Sequence, residues 1–218
     1  MHTLHQEVSM AESVFHTTLE REGVAEFVEK KSVFIGHACP VSSEEEALAY
    51  VKKKKSEYSD ARHNVWAYLQ KGEIVARYSD DGEPQGTAGV PVLDTIRKSG
   101  VSDAVVVVTR YFGGILLGAG GLVRAYSHTA RLALDAAHII TYEQYTELEL
   151  VCSYSDYQKY QAELPRFGAV VDDTQFADRV TLLFSVKDPI VEDVFARVRE
   201  ISNGSTLPTV RGKRFDYR

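Results

Sequence analysis

The sequence has little of several residue types, and each scarcity excludes a class of protein. Only two cysteines, Cys39 and Cys152, occur among the 218 residues, which is too few for a disulfide-stabilised secreted scaffold. No apolar run approaches the ~20 residues that a membrane span requires, and the first residues lack the basic and apolar regions of a signal peptide. We therefore expect a cytoplasmic protein that has buried free thiols and no contact with a membrane.

Basic residues are too few for a polycation. Lys and Arg number 25 and Asp and Glu number 31, so the net charge is −6 with neutral histidines. Binding to nucleic acid would therefore need a local basic patch. The composition, 44% hydrophobic and 26% charged, is that of an ordinary globular protein. At roughly 100 to 200 residues per domain, the length allows one large domain or two small ones.

Changes in hydrophobic periodicity divide the chain into two units. In the first unit, Ser42 or Ser43 is a helix N-cap, because three glutamates follow it and a run of lysines closes the helix. A hairpin is expected around Lys71 and Gly72. The predicted elements are strands at 23–30, 33–41, 63–70, 73–78 and 104–109, and helices at 43–58, 87–98 and 122–137.

The second unit has the order strand, helix, strand, strand, helix, strand. The predicted segments are 145–153, 156–164, 169–176, 180–186, 190–201 and 207–215. This is the order of a ferredoxin-like domain. We therefore predict an α+β protein with an N-terminal extension at 1–17, a first domain at 18–140 and a ferredoxin-like domain at 141–218.

The segment 78–89, YSDDGEPQGTAG, holds the first group of candidate site residues. Its carboxylates, Asp80, Asp81 and Glu83, precede a predicted helix, where amide groups and the positive end of the helix dipole favour acidic side chains. The same three residues would suit a general base or a divalent cation. The structural interpretation has the stronger support, because no further ligand set is evident, and we predict no metal site.

The segment 109–124, TRYFGGILLGAGGLVR, is rich in glycine and opens a long helix. Glycines allow positive φ angles and close approach of the backbone to another group. They favour equally a phosphate-binding loop and a tight strand-to-helix connection. The loop lacks the Gly-Lys-Ser/Thr of a Walker A motif. Its glycines are Gly113, Gly114, Gly118, Gly120 and Gly121.

Basic and aromatic residues flank this loop. Arg124, His128 and Arg131 are spaced to share one helix face, which is either a solvated stripe or part of a nucleic-acid patch. We expect this face, Arg110 and the acidic turn, residues 78–89, to border one groove. The complete set of candidate ligand-binding residues is Arg62, His63, Arg110, Tyr111, Gly113, Gly114, Gly120, Gly121, Arg124, His128 and Arg131.

Four segments, taken together, resemble the IMPACT family and its bacterial members. They are KKSVFIGHACPV at 30–41, DARHNVWAY at 60–68, YSDDGEPQGTAGVPVL at 78–93 and VVVVTRYFGGILLGAGGLVRAY at 105–126. The resemblance implies a ribosomal protein S5 domain 2-like fold, followed by a ferredoxin-like domain that resembles domain V of elongation factor G. It also implies a loose association with translation, without established catalytic residues.

Three functions remain open at this stage. The leading hypothesis is a non-enzymatic protein that associates with RNA or the ribosome and is linked to the regulation of translation. The second is an enzyme for a small phosphorylated or peptide-like substrate, which would use the acidic turn and the glycine loop. The third is a protein-binding adaptor that docks partners on a sheet edge. We predict no cofactor, and the sequence leaves the oligomeric state undetermined.

Overall fold

The computed structural model describes residues 15–70 and 75–217. Contacts between residues divide this part of the chain into two compact units, an N-terminal unit over 16–141 and a C-terminal unit from 142 onward. The predicted extension at 1–17 lies mostly outside the described residues. In the described part of the chain, no helix has both the length and the apolar character needed to cross a membrane.

The N-terminal unit contains a five-stranded antiparallel sheet with the order β2-β3-β6-β4-β5. β4 and β5 form the predicted hairpin, although its turn at Lys71 and Gly72 lies outside the described residues. The strands are β1 (Phe15–Leu19), β2 (Gly23–Glu29), β3 (Ser32–Pro40), β4 (His63–Leu69), β5 (Ala76–Ser79) and β6 (Ala104–Tyr111). The helices are α1 (Glu44–Glu57), α2 (Gly89–Lys98) and α3 (Ala119–Ala136).

The first turn of α1 follows the predicted capping pattern. Ser43 is the N-cap, and its side chain accepts a hydrogen bond from the Glu46 amide. The Glu46 carboxylate in turn accepts from the amide and the hydroxyl of Ser42, both at 2.7 Å. These bonds lower the pKa of Glu46, since they stabilise its charged form. Local chemistry therefore fixes the start of this helix.

Strand β6 is the centre of the N-terminal unit. It is buried along Ala104–Arg110, as its β-branched run predicts. Val105 and Val107 pack in a cluster with α1, whereas Val106 and Val108 belong to a larger cluster with α2 and α3. Because side chains alternate across a strand, α1 covers one face of the sheet and the other two helices cover the opposite face. The site residues follow this strand, at its C-terminal end.

The C-terminal unit has the predicted order of elements. Its antiparallel strands are arranged β10-β7-β9-β8. The strands are β7 (Ile139–Cys152), β8 (Val170–Phe176), β9 (Val180–Lys187) and β10 (Thr209–Asp216), and the helices are α4 (Tyr154–Glu163) and α5 (Val191–Ile201). The core includes Leu150, Phe184 and Val194.

The two cysteines are free. Cys152 is buried, but Cys39 is only half-buried. The expectation of two buried thiols was therefore wrong for Cys39. Burial raises the pKa of both thiols, because it disfavours the thiolate.

Candidate nucleic-acid interface

Asp80 organises the backbone that leads into α2. One carboxylate oxygen accepts from the Ala88 and Gly89 amides at 3.1 and 2.8 Å, and the other accepts from the Gly86 amide at 2.9 Å. The first helical residue is Gly89, and the Ala88 side chain offers no cap. Asp80, which precedes Gly89 by nine residues in the sequence, therefore caps this helix, because amides at a helix start need acceptors.

Asp81 ties the acidic turn to β4. Its carboxylate accepts from the Asn64 amide at 2.7 Å and from Lys55 Nζ at 2.5 Å. Its carbonyl oxygen lies 2.8 Å from Nδ1 of His63. Because a carbonyl can only accept, Nδ1 carries the proton. The nearly buried His63 is thus held by the backbone of the turn.

Glu83 and Arg110 form an ion pair inside the N-terminal unit. Arg110 Nη1 lies 2.7 Å from Glu83 Oε1, and the two side chains are only 6% and 4% exposed. The Tyr126 hydroxyl donates to the same oxygen at 2.7 Å. Burial, and secondarily the Glu83 charge, raises the pKa of Tyr126. The pair joins the acidic turn, β6 and α3.

The predicted catalytic candidates thus have structural roles that account for them. Asp80 caps a helix, Asp81 fixes β4, and Glu83 neutralises Arg110. Within the described ranges, no group of three or more His, Cys, Asp or Glu residues is arranged to hold a metal. In this conformation, each carboxylate of the acidic turn is engaged in hydrogen bonds or an ion pair within the N-terminal unit.

The glycines of the loop after β6 have different roles. Gly113 donates to Ser32 Oγ at 3.2 Å, and a Cβ at this position would lie 2.0 Å from the Lys31 carbonyl carbon. Only glycine allows this approach. Gly114 and Gly118 have positive φ angles of 83° and 74°. Gly121 packs on Leu117, where an added Cβ would be 2.9 Å from the Leu117 Cβ. The loop is therefore anchored to β3 at Gly113.

Ion pairing separates the basic residues of the N-terminal unit into two groups. Eight have a carboxylate partner within 4 Å. They are Arg21, Lys53, Lys54, Lys55, Arg77, Arg97, Arg110 and Arg131. Other exposed cations have no carboxylate partner among the described residues. These unpaired cations are Lys30, Lys31, Lys52, Arg62, Lys98 and Arg124.

Several unpaired cations lie in segments that adjoin the end of β6. His63 is opposite Arg110 in the β4–β6 register, so Arg62 is next to the end of β6 on that side. Lys31 contacts Gly113 on the β3 side. Arg124 lies in α3, and its Nη1 is 3.7 Å from the position that an added Cβ on Gly120 would occupy. We call Lys30, Lys31, Arg62 and Arg124 the cationic rim.

A groove of about 960 Å³ lies beside α2 and α3. Arg124, His128 and Arg131 all line it, as their helical spacing predicts. The His128 ring packs edge-on against Phe27, with 4.7 Å between the centroids. The charge of Arg131 is offset by Asp135 at 2.9 Å. Arg124 is thus shared by the groove and the cationic rim.

The expectation of one shared groove needs correction. Gly86 is the one residue of the acidic turn that lines the groove, and Arg110 does not line it. The Arg110 guanidinium is committed to Glu83 in the interior, so it cannot serve as a surface contact for a ligand in this conformation. It instead lies 5.4 Å from the Phe112 ring centroid, beneath an exposed aromatic side chain.

Tyr111 is half-buried at the end of β6. Its hydroxyl donates to Asp60 at 2.8 Å. This bond raises the pKa of Tyr111, because it stabilises the phenol beside a carboxylate. Sequence reasoning did not select Lys30, Lys31 or the apolar residues at the tip of the loop. Two adjacent lysines between two strands were the sequence signal that could have indicated Lys30 and Lys31.

Comparisons of this chain with known proteins identify its family. The Impact N-terminal domain matches residues 30–134, and a domain of unknown function (DUF1949) matches residues 150–205. The IMPACT family member YvyE of Bacillus subtilis is 33% identical over 190 residues, which cover 87% of this chain and 88% of YvyE. This chain belongs to the IMPACT family.

Other relatives agree with this assignment. The IMPACT family member YigZ of Escherichia coli is 35% identical over 179 residues, covering 81% of this chain and 88% of YigZ. The Protein IMPACT of Oryctolagus cuniculus is 33% identical over 94 residues, 41% of this chain and 30% of the rabbit protein. A crystal structure described as a hypothetical protein matches with a TM-score of 0.56 and 31% identity, over 91% of this chain and 98% of that one.

Proposed function

We propose that this protein binds RNA, free or within the ribosome, as a non-enzymatic factor linked to the regulation of translation. The observation that carries the proposal is the cationic rim, Lys30, Lys31, Arg62 and Arg124, which lacks carboxylate partners among the described residues. Phosphate groups are the ligands that such a rim fits best, because each lysine or arginine can contact one phosphate and release a counterion.

The arrangement of the rim supports a nucleic-acid ligand. The cations come from the β2–β3 turn, the residue before β4 and the first turns of α3, which are three segments that adjoin the end of β6 or the loop after it. The same end of β6 carries the half-buried Tyr111 and is followed by the exposed Phe112. Cations combined with exposed aromatic rings are typical of surfaces that contact the phosphates and bases of single-stranded RNA.

The groove extends the proposed surface along α3. Arg124 belongs to both, and His128 and Lys98 add polar contacts to the apolar wall formed by Phe27 and Pro91. Glu29 and Asp94 also line the groove, so its charge is less positive than that of the rim. We therefore assign the strongest contacts to the rim and positioning contacts to the groove.

The fold is consistent with this proposal. We assign the N-terminal unit to the ribosomal protein S5 domain 2-like fold and the C-terminal unit to the ferredoxin-like fold. The second assignment is supported by four antiparallel strands in the order fourth, first, third, second, with two helices between them. The same fold types follow each other in the C-terminal part of elongation factor G, but fold analogy alone carries little functional weight.

The alternative functions have less support. An enzyme that uses the acidic turn would need to release carboxylates that now hold the fold together. An adaptor that adds a strand to a sheet edge would meet β8 or β10. On β8, Asp172 and Asp173 are exposed and the register shifts between Val171 and Asp173. On β10, Arg211 and Lys213 are exposed and the register shifts between Val210 and Gly212. Charges and bulges at a sheet edge oppose strand addition.

Co-sedimentation with ribosomes over a series of salt concentrations tests the proposal. We expect the protein to bind at low salt and the variant Arg62→Ala/Arg124→Ala to bind more weakly. The matched control is Lys53→Ala/Arg77→Ala, which removes two exposed cations of the same unit that are ion-paired. Absence of binding to ribosomes and to purified RNA at low salt would refute the proposed function, as would equal losses in both variants.

A further inference from the structure

The loop inside the cationic rim exposes large aliphatic side chains. Leu116 is 82% exposed and Ile115 is 42% exposed, and Phe112 beside them is 46% exposed. Exposed apolar residues scattered singly over a surface need no explanation, whereas a contiguous apolar patch often marks an interaction site. We call residues 112–116 the apolar tip.

Both ends of the apolar tip are anchored. On one side, Gly113 donates to Ser32 and packs against the Lys31 backbone. On the other side, Leu117 packs against the core of the N-terminal unit. Ile115 and Leu116 therefore project from a short segment that is held at its base. Such a segment can present apolar atoms to a partner at a lower ordering cost than a long flexible loop.

The charges around the tip indicate the kind of partner. The Lys31 backbone lies beside Gly113 at one end of the loop, and the Arg124 guanidinium lies beside Gly120 at the other. Neither has a carboxylate partner among the described residues. Phosphates flanking an apolar contact match this pattern. Some proteins insert Phe, Leu or Ile between stacked bases while cationic residues hold the neighbouring backbone.

We propose that the apolar tip is a wedge that enters an RNA base step, with Ile115 and Leu116 against the separated bases and the cationic rim on the flanking phosphates. This inference rests on the proposed function and specifies how the surface binds. The Phe112 ring, fixed above the Arg110 guanidinium, stacks on one of the bases. The preferred RNA is therefore a hairpin loop or a weakly stacked stem step, since opening such a step costs least.

A fluorescent RNA hairpin provides the test. One hairpin carries 2-aminopurine in the loop and a second carries it at a pyrimidine–purine step of the stem, so that unstacking raises the emission. The variant is Ile115→Ser/Leu116→Ser, which keeps the charge and changes exposed side chains. The matched control is Leu48→Ser, at an exposed position on α1. Circular dichroism verifies the fold of each protein.

We expect the parent protein and the control to raise the emission of at least one hairpin. The double serine variant should lose most of this increase but still bind at low salt, because the cationic rim is intact. Tight binding without any change in emission would overturn the wedge and leave the proposed function standing. No binding to either hairpin at low salt would overturn both.

The same variants distinguish RNA from a protein partner. If the double serine variant loses ribosome co-sedimentation but retains hairpin affinity and the emission increase, the tip docks into a protein pocket and the wedge is overturned. If the double serine variant loses the emission increase and co-sediments more weakly with ribosomes, and the control does neither, the wedge is supported.

Discussion

Removal of the Glu83 charge tests whether this residue is structural. In the variant Glu83→Gln the side chain keeps its shape, but the Arg110 guanidinium loses its counter-ion at a site where both side chains are less than about a tenth exposed. Breaking a buried ion pair by removing one partner costs about 3–5 kcal/mol. With a urea m-value of about 2 kcal/mol/M, the unfolding midpoint should fall by about 1.5–2.5 M.

The assay follows the fluorescence of Trp66 during urea unfolding. Trp66 is the only tryptophan in the chain, and it lies in β4, so its emission reports on the N-terminal unit. The matched control is Asp135→Asn, which breaks the exposed pair with Arg131 and should cost less than about 1 kcal/mol. The triple variant Glu83→Leu/Arg110→Met/Tyr126→Phe should recover most of the lost stability, because apolar groups replace the whole network.

Two results would refute this reasoning. If Glu83→Gln unfolded at the same urea concentration as the parent or the control, the ion pair would contribute little and the carboxylate would be free for another role. If the triple variant were as unstable as Glu83→Gln, the cost would not arise from an uncompensated buried charge.

Further predictions concern pH, capping and packing, each measured by urea unfolding. His37 is 2% exposed without a hydrogen-bond partner for its ring in the described part of the chain, and burial lowers its pKa to about 4. Because the unfolded state, with a pKa of about 6.5, takes up the proton first, stability should fall by up to about 3 kcal/mol as pH drops from about 6.5 to 4. A His37→Leu variant with an unchanged slope in this window would contradict this. Asp80→Ala should cost about 1–2 kcal/mol through the lost cap, and a stability equal to the parent would exclude that role. Gly113→Ala should cost about 1–3 kcal/mol because the methyl group meets the Lys31 backbone, so a neutral effect would mean that the loop moves freely.

Local patterns were sufficient to predict much of the fold. The Ser43 cap, the β-branched strand at 104–109 and the apolar face of α3 each depend on neighbouring residues, so periodicity and capping chemistry locate them. The order of elements in the C-terminal unit followed in the same way. Helix starts were less accurate, since α3 begins at Ala119 and not at Leu122, and the glycines there obscure the helical pattern.

The candidate site was harder to predict because contacts between residues far apart in the sequence determine which of its charged side chains are ion-paired. Glu83 and Arg110 are 27 residues apart, and the sequence cannot reveal that they neutralise each other in the interior. The α3 spacing correctly placed Arg124, His128 and Arg131 along one groove. It could not reveal that Asp135 offsets Arg131 while Arg124 stays unpaired. Which cations remain available to a ligand is therefore a tertiary property.

The salt dependence of RNA binding tests the central proposal most directly. The measurement is the affinity for a single-stranded RNA over a range of salt concentrations, for the parent and for Lys31→Ala, Arg62→Ala and Arg124→Ala. If the cationic rim contacts phosphates, each substitution should reduce the slope of log affinity against log salt by about 0.7. Slopes equal to that of the parent in all three variants, with Arg77→Ala giving the same result, would contradict the account.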